Sequence, residues 1–346
     1  MGKKNDPSIS LMHDGPGSKL HQLLSQDQIN SIFQFIEDNW AEYTMWPEYV
    51  QAIWHVLPSR EIDSAEEHRQ LDWILLPSLC CQAVGGDPDD TIEIAGAWLL
   101  FYTAAHIFDS IEDQDQLDDN LAQWGPGVNI NIATGLVLSA SSMLNSLSQR
   151  EHTREFAHEL GQDFFESILT MASGQHSDLV SGQLELKQWY EIAEAKSGSF
   201  FSLACRSGAW LGTSDPDKIN CYSDYGFHLG MMLQILDDLE DLKPAYEPEN
   251  PIMVEGIDCS LAVAYALEVL PDDQGHQLLK WIKSGSQEIN TVNNVITILD
   301  GCGATLYVQA ELDRHRNLGL TSLEKVDSKS PASVQLAEFL NEMRVD

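Results

Sequence analysis

The sequence predicts an all-α protein, one domain built from many long helices. Three observations carry that prediction. Apolar residues recur at helical spacing along most of the chain, alternating strand patterns are scarce, and two carboxylate clusters each close an apolar run of helical length. Residues 1–20 are polar and rich in Gly, Pro and Ser, and read as a flexible tail ahead of a single domain over 21–346. No short repeat or internal boundary is visible, and the clearest long connection is KPAYEPENPIMVEGID.

SQDQINSIFQFIEDNW opens at Ser25, a good helix cap, and sets Ile29, Ile32, Phe33 and Ile36 on one face. LDWILLPSLCCQAVGG stops at Gly85 and Gly86, because glycine accepts the left-handed turn that ends helices. Asp87 and Pro88 supply N-cap and first-turn chemistry for a helix predicted to run unbroken to Asp113. Long helices follow over NIATGLVLSASSMLNSL, TREFAHELGQDFFESILTMASGQHSDL, LKQWYEIAEAKSGSFFSLACRSGAWLG and KINCYSDYGFHLGMMLQILDDLEDL. CSLAVAYALEVL, DQGHQLLKWIKSG and GATLYVQAELDRHRNLGL complete the helical series.

The formal net charge of −35 excludes a nucleic-acid binder, since phosphate contacts need Lys and Arg, and makes an anionic membrane surface a poor partner. The bulk of that charge reads as solubility. Cys80, Cys81, Cys205, Cys221, Cys259 and Cys302 form neither a CxxC pair nor a zinc spacing, and read as buried free thiols in a reducing compartment. The N-terminus lacks the apolar core of a signal peptide, and no apolar run reaches the roughly 18–20 residues of a membrane span. The expected location is the cytoplasm.

HIFDSIEDQD and LQILDDLEDL hold the two clusters. Asp109 with Asp113, and Asp237 with Asp241, are four apart, so each pair shares a helical face at about 5–6 Å. Like charges that close repel, and no Lys or Arg interleaves them. A solvated acidic face is the plain alternative for either cluster alone. Two such faces opposed across a bundle would instead hold hard divalent cations through oxygen, and Mg²⁺ suits a site whose octahedron substrate phosphates complete.

On these motifs the chain, over roughly residues 60 to 320, resembles the trans-isoprenyl diphosphate synthase (polyprenyl synthetase) superfamily, which includes class I terpene synthases. Members carry two D-D-x-x-D motifs facing each other in an all-α bundle with a central cavity. EIAEAKSGSFFSLACRSGA is similar to the family's K-T-G helix, with Lys196 as the lysine and Ser197 for threonine. The resemblance implies three Mg²⁺ gripping a diphosphate: Asp109 and Asp113 on two, Asp237 on the third, with Asp238 and Asp241 beside it. It implies contacts from Lys196 and Gln234 to an allylic prenyl diphosphate. Arg206, and Arg314 and Arg316 near the C-terminus, are further cations for the leaving group. The superfamily's dimers make a homodimer the partner to expect.

The chain departs from the family in two places. The first motif reads D-S-x-E-D, with Ser110 in place of an Asp. Where elongating members hold isopentenyl diphosphate with basic residues, the sequence is acidic: between residues 20 and 148 the only Lys or Arg are Arg60 and Arg69, with His68 beside them. A second diphosphate needs charge-assisted donors. That deficit leads to the expectation of a terpene synthase, a lyase that ionises one C15 or C20 allylic diphosphate and lets the cation cyclise or rearrange. Ala105 and Ala104 below Asp109 would give the pocket depth, and Phe101 its floor. The alternatives are a prenyltransferase that uses isopentenyl diphosphate or another acceptor, a non-catalytic partner subunit of a synthase, and an acidic helical binding protein.

Overall fold

The computed structural model describes residues 26–43, 45–58, 73–113, 119–151, 153–181, 185–246, 257–284, 289–326 and 329–343. No strand occurs among them. The tail over 1–20, the Ser25 cap, and Arg60, His68 and Arg69 lie outside the described residues. The main helices are α1 (Gln26–Ala41), α2 (Pro47–Val56), α3 (Leu76–Ala83), α4 (Ile92–Glu112), α5 (Pro126–Ser146), α6 (Ala157–Val180) and α7 (Leu186–Ala193). Then come α8 (Ser199–Gly212), α9 (Pro216–Tyr246), α10 (Leu261–Val269), α11 (Asp272–Lys283), α12 (Ile289–Gly301), α13 (Ala304–Lys325) and α14 (Pro331–Glu342).

The centre is α4, flanked by α1 and α5, with α8, α9 and α13 packed in succession beside it. Ile94 to Phe101 are buried all round the helix, which is what a helix without a polar face must do. Trp98 is fully buried and its indole N–H donates to the Trp73 carbonyl at 2.9 Å, so its one polar atom is satisfied. The start of α4 differs from the expected unbroken helix. Asp87 accepts from the Asp89 N–H at 3.1 Å, Pro88–Thr91 form a 3₁₀ turn, and the α-helix begins at Ile92. The glycine stop is as expected, with Gly85 at φ +94°.

Close backbone approach fixes α8. A Cβ on Gly208 would lie 1.9 Å from the Pro77 carbonyl of α3, and one on Gly226 2.3 Å from the Phe201 carbonyl. No side chain fits at either place, so α8 is wedged between α3 and α9. At the far side Tyr222 and Tyr225 of α9 bond Ser333 and the Leu336 carbonyl at 3.0 and 2.9 Å, which locks α14 onto the bundle.

Two expectations need correction. Only Cys80, Cys81 and Cys205 are buried, while Cys221, Cys259 and Cys302 are half-buried; all six are free. Burial raises the Cys81 thiol to about 12, with Asp90 and Asp87 adding to the effect. The helices over Pro88–Glu112 and Pro126–Gln149 are also long and apolar enough, by length and composition alone, to cross a membrane. The first is largely buried in the bundle, the second less so.

Candidate functional site

The site is built where α4 ends. The Asp113 N–H bonds the Asp109 carbonyl at 2.9 Å, closing the last turn. Carboxylates at a helix C-terminus oppose the helix dipole, so their presence there is a cost that stability alone does not explain. The second cluster sits differently from the expectation. α9 does not stop at it but continues to Tyr246, so Asp237 and Asp238 lie inside the helix. The side chain of Asp241 lies outside the described residues.

Between α7 and α8 the chain winds one π-helical turn, Glu194–Gly198. Such a turn carries an extra residue and bulges, a geometry common at functional sites. Glycines let neighbours close on it. A Cβ on Gly174 of α6 would meet that of Ala195 at 2.8 Å, and one on Gly230 of α9 would reach the Ser197 carbonyl at 2.1 Å. The bulge thrusts Lys196 between α4 and α6. Its Nζ lies 2.8 Å from Asp178 Oδ2 and 3.6 Å from Asp109 Oδ1. Burial works against the ammonium, but Asp109, Asp178 and Asp113 outweigh it and raise its pKa above the ordinary lysine value. Ser197 Oγ donates to Gln234 Oε1 at 2.9 Å. Asp237 follows Gln234 by three residues, on the neighbouring face of the same turn.

Two contributors escaped the sequence reading. Asp178 is the tightest partner of Lys196. Gln175 stands three residues before it on α6, and neither polar atom of its buried amide finds a hydrogen-bond partner among the described residues. An unmet buried amide costs about 1–3 kcal/mol, a cost that bonding to a ligand would remove. The spacing Gln175-x-x-Asp178 was the available signal.

Other expected residues go elsewhere. Arg206 is ten residues beyond Lys196, about 15 Å of helix rise, and forks onto Asp163 at 2.7 and 2.6 Å. The structure therefore does not bring it to the site. Arg314 pairs with Glu311 at 2.8 Å, and Arg316 is bound to Asp313 and to the Leu340 and Met343 carbonyls of the C-terminal segment. Asp238 is buried, and its Oδ2 already accepts from the Trp189 indole at 2.9 Å and the Leu261 N–H at 2.6 Å. Below Asp109, Ala105 is half-buried. Phe101 is buried with its ring 6.0 Å from that of Phe164. Tyr102 stacks on Phe200, which lies 4.2 Å from the Trp98 ring.

Among the described residues no three His, Cys, Asp or Glu side chains converge closely enough to hold a metal by themselves. The donors that converge on Lys196 are carboxylate oxygens of Asp109 and Asp178, of the type that Mg²⁺ and Ca²⁺ prefer. With one lysine among several carboxylates and an unmet amide, they fit metal ions that a ligand helps to hold.

The polyprenyl synthetase family pattern matches residues 74–299. The chain belongs to that family. It is 27% identical over 281 residues to a short chain isoprenyl diphosphate synthase from Methanothermobacter thermautotrophicus, covering 77% of this chain and 84% of the relative. It is 28% identical over 178 residues to the tryptophan prenyltransferase ComQ of Bacillus subtilis subsp. natto, covering 51% of this chain and 54% of that protein. The fold resembles a geranylgeranyl pyrophosphate synthase from Corynebacterium glutamicum complexed with calcium and isoprenyl diphosphate, with TM-score 0.73, 18% identity, and 95% and 98% of the two chains covered. These relatives overturn the terpene synthase expectation: they are named for prenyl transfer, not for lyase chemistry. The shortage of cations before residue 148 was too indirect a signal to set the reaction type.

Proposed function

We propose that the protein is a Mg²⁺-dependent prenyltransferase that condenses an allylic prenyl diphosphate with isopentenyl diphosphate. The observation that carries this reading is Lys196 held between Asp109 and Asp178 at the end of α4, in a chain of the polyprenyl synthetase family. The structure bound to calcium and isoprenyl diphosphate supports a divalent metal. Asp109, Asp113 and Asp237 would hold it, and when bound it supplies Lewis acidity to the leaving group. Lys196 exchanges part of its carboxylate pairing for a diphosphate oxygen, while Gln175 and Gln234 donate from either side. The allylic C1–O bond breaks and diphosphate leaves with the electron pair. The acceptor double bond then attacks C1, and a proton lost from the acceptor passes to diphosphate. Tyr102, Phe200 and Trp98 form a packed aromatic stack beside α4 that would help to exclude water.

A second reading within prenyl transfer rests on the two cations, Arg60 and Arg69, between residues 20 and 148 and on the likeness to ComQ: an acceptor that carries no diphosphate. The exposed apolar side chains Leu138 on α5 and Phe165 and Leu169 on α6 support a homodimer. The test is incubation with Mg²⁺ and geranyl, farnesyl or geranylgeranyl diphosphate, with and without isopentenyl diphosphate. A longer prenyl diphosphate formed only with isopentenyl diphosphate is expected. Failure to consume it, with prenylation of indole or another neutral acceptor, would replace the first reading by the second. Products from the allylic substrate alone would overturn both.

A further inference from the structure

Asp237 and Asp238 are neighbours on one helix, so their side chains leave it about 100° apart. They cannot both face Lys196. The structure shows where one of them goes. Asp238 is 8% exposed, and one oxygen takes two donors from two other helices: the Trp189 indole N–H of α7 at 2.9 Å, and the Leu261 N–H at the start of α10 at 2.6 Å. Its charge also lies at the N-terminus of α10, where a helix dipole favours it. Trp189 is itself buried, and its ring meets Tyr190 edge-on at 5.2 Å. It stands seven residues, two turns, before Lys196. One indole N–H thus links the segment that bears the lysine to the helix that bears the second carboxylate motif.

We propose that Trp189 is a positioning residue: by holding Asp238 as a structural acceptor, it fixes the rotation of α9 that aims Asp237 at the site. This rests on the metal-and-diphosphate reading above. Asp237 and Asp238 look equivalent in sequence, but they divide the work: one faces the ligand and the other sets the angle.

The test is isothermal titration of Mg²⁺ into each protein in the presence of inorganic pyrophosphate, with the unfolding midpoint measured alongside. Trp189→Phe keeps the ring and removes the donor. It is expected to weaken Mg²⁺ binding about 10-fold while the midpoint moves by only a few degrees, the scale at which supports of metal ligands act. Asp238→Asn keeps an acceptor oxygen and is expected to lose less than Trp189→Phe does, whereas Asp238→Ala should match Trp189→Phe and Asp237→Asn should abolish binding. Wild-type binding in Trp189→Phe overturns the proposal. So does an Asp238→Asn defect as large as that of Asp237→Asn, which would make Asp238 a direct ligand. Absence of binding in the wild-type protein would instead defeat the metal-and-diphosphate reading itself.

Discussion

Acidic side chains stand at both ends of α4 and meet opposite circumstances. At its start the Glu93 side chain is 2% exposed and pairs with Arg150, whose own side chain is 35% exposed. At its end Asp109 is 46% exposed and shares Lys196 with Asp178 and, at longer range, Asp113. The Glu93–Arg150 pair acts as a strut: taking Arg150 away leaves the Glu93 charge in the core. Carboxylates that outnumber their cation repel one another and hold a standing demand for positive charge. The ratio of charges, more than their burial, separates structure from site along this helix.

That contrast can be broken by mutation. The largest effect is expected at the acidic end. Asp109→Asn should lower kcat/KM 10³-fold or more, about 4 kcal/mol of transition-state stabilisation. Its thermal midpoint should hold or rise, because repulsion is relieved. Steady-state kinetics and calorimetry on one preparation check both halves, and a variant that unfolds easily would place Asp109 with the struts. At the other end Arg150→Ala should cost about 3 kcal/mol of stability, read as a lower denaturant midpoint, with kcat of the folded protein within about 2-fold of wild type. Loss of activity without loss of stability there would collapse the distinction.

A smaller effect should come from the packing that shapes the bulge. Gly230→Ala forces a methyl toward the Ser197 carbonyl, and should cost about 2 kcal/mol while raising KM for the allylic substrate through the Ser197–Gln234 bond. Unchanged KM would show that the π-turn does not depend on this contact.

The smallest effect concerns a histidine pair away from the carboxylates. His228 Nδ1 lies 3.0 Å from His315 Nδ1, and Arg314 sits 3.0 Å from His315 Nε2. Since Arg314 can only donate, His315 carries its proton on Nδ1 and donates it to a neutral His228. Burial, then Arg314 and His228, push His315 down to about 3. Burial also lowers His228, with Arg314 and Lys325 adding to it against Asp224. A histidine whose folded pKa is depressed keeps its stability above the unfolded pKa, and loses it as pH falls toward the folded one. Denaturant titrations should therefore lose about 0.7 kcal/mol for His315 between pH 7 and pH 6, and more below. His315→Gln should flatten that slope, and an unaltered slope would show that His315 takes up protons equally in the folded and unfolded states.

Much of this arrangement was legible in the sequence. The apolar run into Asp109, and Lys196 two residues ahead of Gly198, each carry a local pattern that survives folding, whereas the second carboxylate cluster does not end its helix as expected. Asp178 and Gln175 did not stand out, because their one mark, a three-residue spacing on the polar face of a helix, is faint in a chain this acidic. Arg206 was misplaced because its partner Asp163 is 43 residues away, beyond any local spacing rule. Asp237 and Asp238 look alike in the sequence, and only the positions of α7 and α10 reveal that Asp238 is held by Trp189 and the Leu261 N–H. The reaction type was misread because a shortage of cations in one stretch does not reveal which residues the fold delivers from elsewhere.

The central claim is that the excess of carboxylates over cations at the end of α4 is a site for divalent metal and diphosphate together. Thermal unfolding with Mg²⁺ alone, pyrophosphate alone and both together tests it most directly. The wild-type midpoint should rise by about 4 °C only when both are present at roughly 100-fold above their dissociation constants, and Asp109→Asn combined with Asp237→Asn should abolish the rise. No rise with both ligands, or an equal rise in the double variant, would contradict the account.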